Sequence, residues 1–258
     1  MRRRFFVDAF AGGTARLAGD SAHHLGRVLR AEPGQLYELS DGNCVFLARV
    51  ERVSGAGVDF ALLEKLPAPA ASVEVALLPA IVKFDRFEWA LEKATELGVN
   101  TIVPLAAERS EKALVAAAGK RAARWRKILL ESAQQARRLR PPLLQDVRQP
   151  AGAFRESAAS VKVVLSERSS AVPVRTIFSE AASKIMEEEA PQRIALAIGP
   201  EGGWTEEEFE AASAAGFREA ALGQNILRTE TAVIAALAAV HIYFDSARAV
   251  GEAERSEH

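Results

Sequence analysis

Apolar residues in the first 65 positions come in short runs, at 4–7, 35–39, 44–53 and 58–63, punctuated by glycine and proline. Runs of that length between turn residues predict β-strands, and Ser40-Asp41-Gly42-Asn43 predicts a hairpin turn joining two of them. A small barrel or sandwich is the economical arrangement. Residues 66–72, Leu-Pro-Ala-Pro-Ala-Ala-Ser, carry two prolines and neither a helix nor a strand period, so a domain boundary is expected there.

From residue 73 the pattern changes. Strand-length apolar runs at 73–78, 101–105, 161–165, 193–198 and 219–222 alternate with helical patterns. Phe84, Phe87, Leu91, Ala94 and Leu97 recur at three- and four-residue steps, with Gly98 as the expected C-cap. A second amphipathic helix is predicted over 120–136, with Trp125, Ile128 and Leu129 in its apolar stripe. This alternation predicts an α/β domain with a mostly parallel sheet covered on both faces. Residues 231–240 are apolar on every side and are expected to be buried, in the core or against another subunit. The end of the chain, 251–258, is polar and expected to fray.

Composition agrees with a packed protein: of 258 residues, 49% are hydrophobic and 26% charged, which excludes a disordered or fibrous chain. No apolar run approaches the roughly 18 residues of a membrane span, and no signal-like segment follows the first arginines, so a cytoplasmic location is expected. The single cysteine, Cys44, excludes an internal disulfide and is expected to be a small buried hydrophobe in a strand. His23-His24 lacks a third ligand at useful spacing, and no metal is expected. Ser132, Ser166 and His241 show no nucleophile and base pattern. Trp89, Trp125 and Trp204 are expected in the core, with Trp204 also placed to cover a ligand.

Charge is uneven. Between residues 109 and 148 eleven basic residues face three acids, a net +8, whereas 180–210 carries nine acids against two bases. A solvated helix face accounts for the acidic block. The basic one is what a phosphate backbone would select, because each cation that reaches a phosphate releases condensed counterions.

Two segments carry the candidate chemistry. Ile198-Gly199-Pro200-Glu201-Gly202-Gly203-Trp204 follows an apolar strand and runs into Thr205-Glu-Glu-Glu208, whose ends have capping-box spacing. A glycine turn between a strand end and a helix N-terminus exposes main-chain N–H groups where a ligand approaches without meeting a Cβ. It fits neither a Walker loop nor a dinucleotide fingerprint. Leu222-Gly-Gln-Asn-Ile-Leu-Arg-Thr-Glu-Thr231 lies again between a strand and a helix. Coming from successive strands, the two loops are expected side by side at the carboxyl edge of the sheet, where open α/β sheets bind ligands.

With these motifs the chain resembles the 16S ribosomal RNA uracil-N3 methyltransferase family of the SPOUT superfamily. His24-Leu-Gly-Arg-Val-Leu-Arg30, Glu92-Lys-Ala-Thr-Glu-Leu-Gly98 and Gln134-Gln-Ala-Arg-Arg-Leu-Arg-Pro-Pro142 extend the similarity over nearly the whole chain. The resemblance implies an RNA-binding PUA-like β-barrel domain over 1–70 and a SPOUT α/β domain over 73–248 with a deep trefoil knot. It implies S-adenosylmethionine as cofactor and a homodimer with the site at its interface. The implied activity is methylation of N3 of a uridine in 16S rRNA of the small ribosomal subunit, with no membrane and no metal.

By the same resemblance, main-chain groups of Gly199, Pro200, Gly202, Gly203, Leu222, Gly223, Ile226, Leu227, Arg228 and Thr229 are expected around the cofactor, with Leu165 at another strand end. A side chain at Gly202, as in Gly202→Val, is expected to enter the ligand's space. Uracil N3 carries a proton at neutral pH, so a fixed cation beside O2 or O4 would stabilise the departing imide charge. Arg138 is the candidate, with Arg140 and Arg137 as alternatives, and Glu201 is the candidate base. The RNA track is expected to include Arg2, Arg3, Arg4, Arg27, Arg30 and Arg137. Ala136 stands where the family often has a small polar residue or cysteine, which argues against chemistry at that position. Two other readings compete: a different SPOUT reaction such as ribose 2′-O-methylation, and a non-catalytic RNA-binding or ribosome-assembly protein.

Overall fold

The computed structural model describes residues 3–68, 73–185 and 191–256, with side chains described for all of these but 184–185 and 245–256. Arg2 lies outside the described residues, as does part of the proline-containing segment. The chain divides into two compact units, Met1–Ala70 with Leu130–Pro141, and Ala71–Leu129 with Pro142–His258.

In the first unit, strands β1 (Arg4–Phe6), β2 (Phe10–Ala11), β3 (Thr14–Leu17), β4 (Leu36–Ser40), β5 (Val45–Ser54) and β6 (Gly57–Leu66) form one curled sheet in the order β1-β4-β5-β6-β3-β2. All its pairings are antiparallel except β1 with β4. Among the described residues the order ends on β1 and β2 without a ladder between them. Alternate residues supply the core: Phe5, Leu39, Ala48, Val50, Val58 and Phe60 are buried. The four predicted runs correspond to β1, β4, β5 and β6. The β2–β3 hairpin was not anticipated, although Gly12-Gly13, both at positive φ, is the dipeptide such a tight turn requires. Also unanticipated is helix α1 (Gly19–His23), which continues as a π-helical turn over His24–Val28 and seats Leu25 in the core.

The Ser40–Asn43 turn joins β4 to β5 as expected. Asp41 Oδ1 accepts the N–H groups of Asn43 and Cys44, each at 2.8 Å, an arrangement that mimics a backbone turn. Cys44 is half-buried at the edge of that turn and not within a strand.

The second unit holds strands β7 (Val73–Pro79), β8 (Thr101–Ile102), β9 (Leu143–Leu144), β10 (Val161–Leu165), β11 (Val172–Pro173), β12 (Gln192–Ile198) and β13 (Arg218–Ala221). Its helices are α2 (Phe84–Glu96), α3 (Lys112–Gln135, whose last residues belong to the first unit), α4 (Pro150–Glu156), α5 (Val174–Ile185), α6 (Glu206–Ala214) and α7 (Thr229–Ser256). The sheet runs β11-β13-β10-β12-β7-β8-β9, and every pairing is parallel. Alternation along β12 separates two cores. Ile194, Leu196 and Ile198 meet α2, α5 and α7, while Ala195 and Ala197 meet α4 and α6. Helix α3 begins at Lys112, eight residues before its predicted start, and Trp125 packs against Phe87 with ring centroids 4.8 Å apart.

Helix α7 buries Ala232, Val233, Ala236, Leu237 and Val240 within this unit. Its other side, Ile234, Ala235, Ala238 and Ala239, is partly exposed on this single chain, so the core of this unit accounts for one face of 231–240. Trp89, expected in the core, is 44% exposed on α2, because the α2 stripe that faces the sheet is made of Phe87, Ala90, Leu91 and Ala94. Among the described residues no helix is long and apolar enough to cross a membrane.

The Asp41 turn yields a pH-dependent prediction. The Cys44 N–H, aided by Asn43, holds the Asp41 carboxyl below its usual range. A depressed folded pKa means the stabilisation is complete above the ordinary value of about 3.9 and is lost as pH falls through the lower folded one. Asp41→Ala is expected to lower stability at pH 7 by about 0.5–1.5 kcal/mol in urea unfolding. Asp41→Asn, which keeps an acceptor oxygen, should lose less, and its deficit should shrink toward pH 3. Equal losses in the two variants would contradict this account of the turn.

Candidate functional site

Because the strands are parallel, β10, β12 and β13 all end at one edge of the sheet. The two glycine-containing loops do not, however, come from neighbouring strands. β10 lies between β12 and β13, since the β12–α6–β13 connection passes over one strand position. The end of β10 therefore forms a third element of the site, residues 165–168.

The turn after β12 is closed by Gly203 N–H donating to the Pro200 carbonyl at 2.8 Å, with Gly203 at φ +69. Helix α6 then starts with the predicted capping box. The Thr205 hydroxyl accepts from the Glu208 N–H at 3.3 Å, and a Glu208 carboxylate oxygen accepts from the Thr205 N–H at 2.9 Å. Two side chains knit the three strand ends together. Trp204, almost wholly buried against Phe154, donates its Nε1–H to the Leu165 carbonyl at 3.1 Å, tying the β12 loop to β10. Thr229 at the start of α7 donates its hydroxyl to the Gly199 carbonyl at 2.9 Å, tying the β13 loop to the β12 loop.

These ties explain the glycines. A Cβ on Gly199 would stand 3.1 Å from the Trp204 indole, and one on Gly202 would stand 3.2 Å from Cβ of Arg109. Arg109 wraps the turn, its guanidinium donating to the Gly202 carbonyl at 2.7 Å. A side chain at 202 thus meets Arg109, which lines the same cavity. Gly223 differs: nothing lies within 4 Å of its missing Cβ.

The three strand ends enclose a cavity of about 540 Å³. Its walls include Leu165, the β12 turn from Gly199 through Gly202 and Gly203 to Trp204, and the β13 loop from Leu222 to Leu227, with Thr229 behind. Pro200 and Glu201 also face it, whereas Arg228 lies outside the wall. Ile226 is 78% exposed at the mouth. Sequence reasoning missed Arg109 and Arg168. The second had a signal, because it follows a predicted strand end; the first had none. Arg168 lies over the Phe209 ring, 4.3 Å from its centroid, and pairs with Glu206. Glu201 pairs with Arg86 of α2 at 2.8 Å, and Arg86 also approaches Glu230 at 3.9 Å.

The predicted arginines of the basic segment belong to the first unit. Arg138 is half-buried, and loss of solvent brings its pKa down to about 10, which leaves it cationic at neutral pH. Arg140, Arg27 and Arg30 are exposed, and Arg3 meets the His24 ring at 3.2 Å. Arg4 is not at the surface. It is bound to Glu38 at 2.8 Å and to the Arg137 carbonyl.

A parallel α/β sheet with a glycine-walled cavity of ligand size at its carboxyl edge defines a protein that binds a small molecule there. The comparisons with known proteins then identify the group. Residues 69–241 match the family described as RNA methyltransferase domain. The ribosomal RNA small subunit methyltransferase E of Mycobacterium tuberculosis is 31% identical over 248 residues, 92% of this chain and 90% of that protein. Among solved structures, a ribosomal RNA small subunit methyltransferase E from Neisseria gonorrhoeae bound to S-adenosyl methionine superposes with a TM-score of 0.80. It is 29% identical, covering 94% of this chain and 98% of that one. A putative methyltransferase from Legionella pneumophila, in complex with the same cofactor, gives 0.79 at 30% identity, with coverage of 94% and 98%. The chain belongs to this RNA methyltransferase family.

The contrast between glycines is testable by thermal or denaturant unfolding. Gly199→Ala is expected to cost about 1–3 kcal/mol, because a rigid buried indole must shift. Gly223→Ala should stay within about 0.5 kcal/mol. A neutral Gly199→Ala would mean that Trp204 does not fix the turn.

Proposed function

We propose that this protein is an S-adenosylmethionine-dependent methyltransferase that modifies N3 of a uridine in 16S rRNA of the small ribosomal subunit, as a cytoplasmic homodimer. The observation that carries the proposal is the cavity itself. Three parallel strand ends wall it, its turn and loop carry glycines at 199, 202, 203 and 223, and its size suits a nucleoside-bearing ligand. The names and bound cofactor of the relatives support the same assignment. The trefoil knot implied by the resemblance belongs to the proposal, as does the division into a PUA-like domain over 1–70 and a SPOUT domain over 73–248.

Residues 222–227 and the Gly199 and Gly202–Gly203 main chain would hold the cofactor, which when bound supplies an electrophilic methyl group. The work of the chain's own residues is placement, and placement of this kind can be worth roughly 7–11 kcal/mol. Leu165, Leu222 and Leu227 exclude water from one side of the cavity, and the exposed Ile226 offers an apolar lid. Arg138, cationic at neutral pH, is assigned to the charge that builds on the uracil imide as N3 loses its proton. Arg140 and Arg137 are its alternatives. Glu201, at the cavity rim, is the candidate for receiving that proton, with Arg86 holding its carboxylate in place. Arg3, Arg27, Arg30 and Arg137 are assigned to RNA phosphate; Arg2 is assigned with them from sequence alone. N3 modification is preferred over ribose methylation because of the family motifs. A flipped or single-stranded uridine is the expected substrate form.

The test is methylation of small subunits, or 16S rRNA, from cells lacking the modification, with labelled S-adenosylmethionine and nucleoside mapping. The expected product is 3-methyluridine at one position. A ribose-methylated product would move the protein to another SPOUT reaction, and no product would favour the non-catalytic reading. Arg27→Glu with Arg30→Glu is expected to weaken RNA binding and to reduce the slope of log affinity against log salt by roughly one unit per lost phosphate contact. An unchanged slope would remove this surface from the RNA track.

A further inference from the structure

On the face of β4 opposite the core residue Leu39 lie two polar side chains that are nonetheless buried, Glu38 and Ser40, at 7% and 0% exposed. A carboxylate does not stay buried without partners, so its surroundings show what it is for. One oxygen of Glu38 accepts from Arg4 Nε at 3.1 Å and Arg4 Nη2 at 2.8 Å, and the other lies 3.5 Å from Arg137 Nη1. The remaining Arg4 nitrogen, Nη1, donates to the carbonyl of Arg137 at 2.5 Å. Two residues further along β4, the Ser40 hydroxyl donates to the Leu139 carbonyl at 2.6 Å. The carbonyls of Arg137 and Leu139, the residues that flank Arg138, are therefore held by Arg4 of β1 and Ser40 of β4. Arg137 itself sits at φ 53, the left-handed residue that ends α3, with the Arg138 N–H donating back to the Ala133 carbonyl at 2.9 Å.

We propose that Glu38 is a positioning residue for methyl transfer: acting through Arg4, and together with Ser40, it fixes the backbone of residues 137–139 and so aims the Arg138 guanidinium. This rests on the assignment of Arg138 to the uracil imide. It also gives Arg4 a role other than phosphate contact. The fork of Arg4 satisfies a carboxylate and a carbonyl at once, a geometry that lysine does not reproduce.

The test uses the full-length protein at saturating cofactor and RNA, reading the single-turnover rate of uridine methylation. Glu38→Gln is expected to slow it by about tenfold to a hundredfold, the usual consequence of a small misplacement of a reacting group. The RNA KM, the salt dependence of RNA binding and cofactor affinity by calorimetry should stay near wild type. Ser40→Ala, which removes the second tie without touching charge, should slow the rate in the same direction and serves where Glu38→Gln unfolds. In an Arg138→Lys background the effect of Glu38→Gln should largely disappear, because the group being aimed has gone. Full rate in Glu38→Gln with a slow Arg138→Lys overturns the positioning role alone. Equal, additive losses in both backgrounds also overturn it, since they mark a merely structural carboxylate. Full rate in Arg138→Lys and Arg138→Ala overturns the assignment of Arg138 and this proposal with it.

Discussion

Two hydrogen bonds tie together the three strand ends that wall the cavity of the second unit: Trp204 Nε1 to the Leu165 carbonyl, and Thr229 Oγ1 to the Gly199 carbonyl. Parallel strands deliver three loop starts to one edge, yet loops at an edge are independent unless something ties them. The buried indole couples the β12 turn to β10 and the buried hydroxyl couples it to α7. Each bond satisfies a carbonyl at a strand end and uses a side chain that is itself locked by packing. The loop residues that remain between these ties line the cavity. The glycines at 199 and 202 follow from that arrangement, since their missing side chains make room for Trp204 and Arg109.

The first unit solves a different problem with buried charge. Its segment Leu130–Pro141 lies far along the chain from the sheet it belongs with, and the Glu38 carboxylate with Arg4 supplies the contacts that hold it. An ion pair of that kind contributes geometry more than stability. The arginines singled out in the sequence consequently divide into those that build, such as Arg4, and those left exposed, such as Arg27, Arg30 and Arg140. A count of charge along the chain sees no difference between the two.

Much of the architecture was legible because periodicity reports burial. The five strand runs after residue 73, the α2 stripe and the capping box at Thr205 each reflect a local rule. What the chain hid was set by non-local packing. Strand order is invisible to periodicity, so the insertion of β10 between β12 and β13, and with it the role of residues 165–168, did not show. Strands of two residues such as β9 and β11 leave no period to read. Arg109 has no motif, and its place against Gly202 comes from how the chain after β8 runs. The division of arginines by burial likewise depends on Glu38, one acidic residue in a strand that reads as ordinary. The cofactor loops were legible for the opposite reason: their glycines and flanking strand and helix signals lie together in sequence.

The central claim is that these tied strand ends form the pocket of an S-adenosylmethionine-dependent enzyme. A crystal structure of the protein grown with S-adenosylmethionine tests it most directly. The account predicts the cofactor in the cavity between residues 199–204 and 222–227, held by main-chain groups, with Trp204 still bonded to Leu165. A cavity closed by its own side chains, or a cofactor bound elsewhere on the molecule, would contradict it.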